Sequence, residues 1–225
     1  MSDTIRGGKM KVLIACEESQ RVCFAFRERG HEAYSCDILE CSGGHPEWHI
    51  QGDVLPIING NCEFETADGQ RHRIDGEWDL LIAHPPCTYL TNAGARWLWA
   101  GNKLNEERYA KGLEGKEFFM KFYNAKCKRI AIENPIPSRI YELPIYTQTI
   151  EPYMFGHKAT KKTCLWLHGL PLLKETHNVG RPEKVYFQKR DGTWRTDCWE
   201  MQNHGSKDRS KTFEGIAKAM AEQWG

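Results

Sequence analysis

The sequence has no uninterrupted apolar run approaching the ~20 residues needed to cross a bilayer, so no segment reads as a membrane span. It also has no surplus of charge: 31 Lys and Arg stand against 30 Asp and Glu, a net +1 with His neutral. Blanket attraction to phosphate is thereby excluded, and any nucleic-acid contact has to come from a local patch. The basic clusters available are Lys158/Lys161/Lys162 and Lys207/Arg209/Lys211; each reads equally well as a solvated face. There is no Cys-x-x-Cys pair. Nine cysteines, an odd number, several of them inside apolar runs, read as reduced thiols that behave as small buried hydrophobes. Cys36, Cys41, His45 and His49 form the only metal-like string. Its spacing is not that of a common zinc finger, and Gly43, Gly44 and Pro46 interrupt it, so no metal is expected.

What is present fits one α/β domain. The 225 residues are 40% apolar and 11% aromatic, enough for a packed core. Residues 1–10 (MSDTIRGGKM) are polar and unlike a secretory leader; they read as a disordered lead-in, and a cytoplasmic location is expected. Residues 11–15 (KVLIA) and 79–83 (DLLIA) are short apolar runs of the kind found in buried parallel strands. Between them, 20–29 reads as a helix closed by Gly30, and 32–36 as a strand closed by Asp37, giving a βαβ unit. A helix is expected over 105–125, with Tyr109, Leu113, Phe118, Phe119 and Phe122 at roughly helical spacing. Residues 129–132 (RIAI) form another strand, ending at Glu133. Residues 62–74 and 185–199 read as hairpins, and 212–224 as an amphipathic helix. The alternation predicts a Rossmann-like, doubly wound, mostly parallel sheet over 11–225, with a small hairpin insertion at 174–204.

In such a sheet, ligands bind outside the carboxyl ends of the strands. The residues found there are Cys16, Glu17, Glu18 and Ser19 after the first strand and Asp37 after the second. Gly52, Asp53 and Val54 follow a little later. His84, Pro85, Pro86 and Cys87 follow the DLLIA strand, and Glu133, Asn134 and Pro135 the RIAI strand. Asp37 stands where an acid can accept from ribose hydroxyls, or it serves only as a turn or helix-cap aspartate. The first turn lacks Gly-x-Gly-x-x-Gly, which argues against a dinucleotide, whose pyrophosphate needs close backbone approach. Two prolines ahead of Cys87 fix the backbone and remove two N–H groups, a rigid setting that suits a nucleophile.

The pairing of His-Pro-Pro-Cys (84–87) with Glu-Asn-Pro (133–135) resembles the Pro-Cys and Glu-Asn-Val motifs of DNA cytosine-5 methyltransferases. Gly52-Asp53-Val54 resembles that family's Gly-Asp-Ile element, and Asp37 its acid after the second strand. The chain is similar through most of 11–225 to compact, often phage-encoded members. The stretches concerned are VLIACEESQRV (12–22), KKTCLWLHGLP (161–171) and RSKTFEGIAKAMAEQWG (209–225). The resemblance implies S-adenosyl-L-methionine (SAM) as cofactor, bound by Cys16, Glu17, Ser19, Asp37, Ile38, Asp53, Val54, Pro85 and Thr212. It implies Cys87 as covalent nucleophile and Glu133 as the acid facing the base. Pro86, Asn134, His157, Lys161, Thr163 and Arg209 are then expected at the substrate. The chemistry explains the pairing. C5 of cytosine is too weak a nucleophile to attack a methyl sulfonium, but a thiolate adding to C6 makes the ring an enamine whose C5 can attack. Charge then builds at N3, where a carboxylic acid can protonate or hydrogen-bond it. Lys161 and Arg209 are candidates to lower the thiol pKa.

Three departures accompany the likeness. Glu17, Glu18 and Ser19 stand where the family usually carries glycines, and no Gln-x-Arg-x-Arg run is visible. Only 48 positions separate Lys161 from Arg209 (209 − 161), an interval in which sequence-reading members place a much larger domain. Recognition has to use the 174–204 region, with Arg190, Trp194, Arg195 and Trp199. A free cytosine nucleotide is therefore a rival to DNA as substrate. A catalytically silent binder of SAM or a nucleotide is a third reading, which the joint presence of Cys87 and Glu133 opposes. An amino methyltransferase would need an aromatic residue where Cys87 stands.

Overall fold

The computed structural model describes residues 8–95, 97–188, 192, 194–197 and 210–225. Its centre is a seven-stranded sheet of β1 (Lys11–Ala15), β2 (Glu32–Asp37), β3 (His49–Gln51), β6 (Leu80–Ala83), β9 (Ile130–Pro135), β10 (Gln148–Ile150) and β11 (Thr163–His168). The spatial order is β10-β11-β9-β6-β1-β2-β3. β1 pairs in parallel with both β2 and β6, and β6 in parallel with β9. β11 runs antiparallel to β9 and to β10. The five parallel strands follow the order of a doubly wound nucleotide-binding sheet, with the reversal of direction between β1 and β6. Among the described residues no helix is long and apolar enough to cross a membrane.

Both faces of the sheet are covered, and the residues of each strand alternate between them, as a period of two requires. Val12, Ile14, Leu80, Ile82, Ala131 and Leu165 pack against α1 (Arg21–Glu28) and the C-terminal helix α4 (Glu214–Trp224). Leu13, Leu81, Ile130, Ile132 and Trp166 face the other way, towards Phe119 and Phe122 of α3 (Glu106–Tyr123). The expected helix over 105–125 is thus present, capped by Asn105, whose side chain accepts from the Arg108 N–H. Leu113, expected on its apolar face, is 38% exposed. Outside the sheet lie β4 (Cys62–Glu65) with β5 (Arg71–Ile74), the short α2 (Asn92–Ala95) with β7 (Trp99–Ala100) and β8 (Lys103–Leu104), and β12 (Val185–Gln188) with β13 (Trp194–Asp197). The two expected hairpins are the first and last of these pairs.

Three differences from the sequence reading matter for the site. Met10, assigned to the lead-in, is already buried, its carbonyl accepting from the Glu32 N–H. β3, β10 and β11 have no counterpart in the sequence reading. Because β11 pairs with it, β9 does not stop before Glu133: Glu133 lies opposite Leu165 and Asn134 opposite Cys164. Both are ladder residues, held more rigidly than the loop residues expected.

Candidate active site

At the end of β1, Cys16 takes a left-handed backbone (φ 59°), a conformation glycine adopts without steric cost. The chain then turns Glu17 inward. Its Oε1 accepts from the Val22 N–H at 2.7 Å and its Oε2 from the Cys23 N–H at 3.2 Å. These first-turn N–H groups of α1 have no partner within the helix, and a carboxylate satisfies them while matching the dipole. The structure therefore gives the Glu17 carboxylate a helix-capping role, with both oxygens engaged by α1. Gln20, also left-handed and buried, spans to His45: its Nε2 donates to the His45 carbonyl at 2.8 Å and its Oε1 accepts from the His45 N–H at 3.0 Å. His49 is buried with Nδ1 against Ser35 Oγ and Nε2 against the Leu39 carbonyl, both at 2.9 Å. Among the described residues, no group of three or more His, Cys, Asp and Glu is arranged to hold a metal ion.

Asp37 and Asp53 are built alike. Each Oδ1 accepts an N–H two residues on, from Leu39 and Leu55, at 3.0 Å in both cases. No hydrogen bond from a described residue falls on either Oδ2. Burial and then the Asp37 charge push the Cys16 thiol up, and burial with Asp37 and Asp53 pushes Cys36 up to about 12. Neither sulfur is a thiolate at neutral pH. Ile38 is 76% exposed at the same edge, Val54 is buried, and Ser19 is half-buried. Two spare carboxylate oxygens beside an exposed apolar side chain fit the hydroxyls, amine and flat ring of a nucleoside. With a carboxylate turned into the helix start, this end offers no phosphate cradle. Asp37, Asp53 and Ile38 are the residues that could hold such a nucleoside.

The ends of β6 and β9 are built differently. The His84 N–H donates to the Ala15 carbonyl at 2.9 Å, the last ladder bond before the prolines. Ala83 pairs with Ile132, so His84 and Glu133 continue that register, and strand parity places both on the α1/α4 face. His84 Nδ1 lies 3.1 Å from Glu133 Oε2, the side chains 15% and 10% exposed. Thr212 Oγ1 donates to the same Oε2 at 3.1 Å. Burial pushes the Glu133 carboxyl up, but the His84 hydrogen bond and charge, Lys161 and Thr212 outweigh it and hold it well below the usual carboxylate range. For His84, burial pushes down while Glu133 and then Glu17 push up, and the net direction is up. Both directions favour a protonated His84 facing an ionised Glu133.

Asn134 is buried, and its Nδ2 donates to the Pro85 carbonyl at 3.0 Å, tying β9 to the Pro-Pro-Cys loop. The loop is tied a second time beyond Cys87, where the Ser138 N–H donates to the Leu90 carbonyl at 2.7 Å. Pro85 is buried and Pro86 exposed. Cys87 is a half-buried free thiol; burial raises its pKa, Lys161 lowers it and Glu133 raises it, leaving it above the ordinary value. Lys161 thus acts on Cys87, Glu133 and His84 together.

Of the other residues expected at the substrate, Thr163 is buried within β11 and its hydroxyl donates to the Lys161 carbonyl at 3.0 Å. His157 Nε2 accepts from the Gly215 N–H at 3.0 Å, holding the start of α4. Gly215 is required there, since a Cβ would lie 1.9 Å from the Phe155 carbonyl oxygen. Thr163 and His157 thus each have a backbone partner that sequence does not reveal. Thr212, expected at the cofactor, bonds Glu133, and its carbonyl accepts from Arg21 Nη1 at 2.8 Å. Arg190, Trp199, Lys207 and Arg209 lie outside the described residues, as do the side chains of Trp194 and Arg195. The sequence reading gave His84 no role, although its place after a strand, at the same parity as Glu133, was a usable signal. No family model matches the chain, and no curated protein matches its sequence.

Proposed function

We propose that the protein is a SAM-dependent methyltransferase acting on C5 of cytosine through a covalent adduct at Cys87. The observation that carries this reading is the convergence of Cys87, Glu133 and Lys161 at the carboxyl ends of two adjacent parallel strands, beside the switch point. A binder needs neither a thiol under the influence of a cation nor a carboxylate buried beside a histidine. Lys161 favours the thiolate, and the rigid Pro-Pro-Cys turn places it for addition to C6. The spare acceptors of Asp37 and Asp53 would bind the cofactor's nucleoside, which would bring its methyl group towards β6; the fold as a methyltransferase fold belongs to the same proposal. DNA is the substrate this reading favours, with a base flipped into the crevice and phosphates met by Lys158 and Lys162, both exposed. The near-neutral charge favours a free cytosine nucleotide as the second reading.

Incubation with labelled SAM and, separately, duplex DNA or dCMP tests the proposal by nucleoside mass analysis. 5-Methylcytosine from DNA, with turnover falling steeply as salt rises, is expected. Salt-insensitive turnover on dCMP alone would decide for the nucleotide, and no product from either would sink the activity.

A further inference from the structure

The cytosine reading rests on Glu133, and its environment raises a question of proton supply. A residue that is to protonate N3 must carry a proton, yet His84, 3.1 Å away, and Lys161 both favour the carboxylate form of Glu133. The geometry around it is specific. The two contacts to Glu133, His84 Nδ1 at 3.1 Å and the hydrogen bond donated by Thr212 Oγ1, fall on Oε2. Among the described residues none falls on Oε1. One oxygen is saturated by the protein and the other is left for something else.

We propose that His84 is the positioning residue of this site: pinned between the ends of β6 and β9, its imidazolium holds Glu133 as a carboxylate with Oε2 capped and Oε1 turned to the base. This rests on the cytosine reading for the identity of the base, but not for the pairing itself. The charged groups facing His84 are Glu133 on β9, Glu17 ahead of α1 and Lys161 ahead of β11. Glu17 cannot replace Glu133 as its direct partner, since both its oxygens are bound to α1 N–H groups. Among the described residues His84 Nε2 is buried with no hydrogen-bond partner, and Nδ1 makes the ring's polar contact. An ionised Glu133 first accepts a hydrogen bond at Oε1 from the exocyclic amine of cytosine. When the thiolate adds to C6, electron density moves onto N3. Glu133 can then give a proton to N3 only if the bound complex has taken one up from solvent onto Oε1, leaving the His84 hydrogen bond on Oε2 intact. Base binding and proton uptake are thereby coupled.

Two variants test the role. His84→Asn keeps an N–H near the Nδ1 position without a titratable charge; His84→Ala removes both, and melting curves establish that each is folded. In free protein, carboxyl carbon NMR of labelled glutamates, with Glu133 assigned through Glu133→Gln, should show its titration midpoint rising by about one pH unit or more in His84→Asn. An unchanged midpoint overturns the inference whatever the enzyme does. With DNA containing 5-fluorocytosine and SAM, adduct formation in His84→Ala should slow by about tenfold or more near pH 7. His84→Asn should recover most of that loss and lose the alkaline fall-off of the wild-type rate. Equal losses in both variants at every pH would reduce His84 to a packing residue and overturn its positioning role. If the wild-type protein forms no adduct, the cytosine reading fails while the NMR result still judges the His84–Glu133 pair.

Discussion

The two halves of the crevice use the same kinds of residue to opposite ends. Where β1, β2 and β3 finish, acids serve the backbone: Glu17 caps α1, and Asp37 and Asp53 each close a turn. Their neighbouring thiols, Cys16 and Cys36, are pushed up by burial and by these acids. Where β6 and β9 finish, an acid is buried against a histidine, a lysine acts on a cysteine, and His84 Nε2 and Asn134 Oδ1 are buried without hydrogen-bond partners among the described residues. Buried polar groups are nearly always satisfied, so those that are not mark places where structure has been subordinated to something else. The first half reads as a binding edge and the second as a reacting one.

The largest effect expected from this contrast concerns the thiols. Adduct formation with 5-fluorocytosine DNA, read by intact and peptide mass, should vanish in Cys87→Ser and persist in Cys16→Ser. An adduct mapped to Cys16 would reverse the roles of the two halves.

Next in size is stability. Removing one partner of a buried ion pair strands the other, so His84→Ala should cost about 3 kcal/mol in urea unfolding, whereas Asp37→Ala should stay within about 0.5 kcal/mol. The pH dependence has a definite sign. The raised His84 pKa supplies stability that is full below 6.5 and lost as pH rises through the higher folded value; the depressed Glu133 pKa supplies stability that is full above 4.5 and lost as pH falls through the lower one. The deficit of His84→Ala should therefore be greatest between pH 4.5 and 6.5 and shrink on either side. A deficit that grows with pH instead would show that the pair is not ionic.

A smaller effect belongs to the binding edge. Asp37→Ala should weaken SAM by about tenfold, roughly 1.4 kcal/mol, in calorimetry on the folded variant. Unchanged affinity would remove Asp37 from the cofactor. Smallest is Glu17→Gln, which keeps one acceptor for α1 and should cost about 1 kcal/mol with SAM affinity unaltered. Because burial raises the Glu17 pKa, its carboxylate loses stability as pH rises, and the Gln variant should gain on the wild type over that rise. A loss of SAM affinity there would restore Glu17 to the cofactor site.

Much of this was legible in the amino-acid order. The runs KVLIA, DLLIA and RIAI are strands because both faces of each are buried, a condition that leaves an uninterrupted apolar signal. Glu133 stood out because a polar residue directly after such a run lies at the sheet's carboxyl edge, and Cys87 because it leaves the same edge behind two prolines. β11 was not legible as a strand: TCLWLH is as apolar as a helix segment of the same length, and periodicity does not separate the two. β3 and β10 span three residues each, too short for any period to show. The partners of His157 and Thr212 were not legible because folding alone brings them close: Gly215 at a distant helix start and Glu133 from another strand.

The sequence by itself determined the strand ends and therefore the edge at which chemistry can occur, since local apolar runs and the prolines that stop them are properties of contiguous residues. It also determined that a thiol and a carboxylate leave that edge. Only the tertiary structure decided which carboxylates are spent on the backbone and which face a partner. Glu17 and Glu133 both follow apolar strands, but one meets the open N–H groups of α1 and the other meets His84, 49 positions away (133 − 84). Hydrogen bonds act over about 3 Å in space, not along the chain, and the separation that matters is set by how β6, β9 and the helices pack.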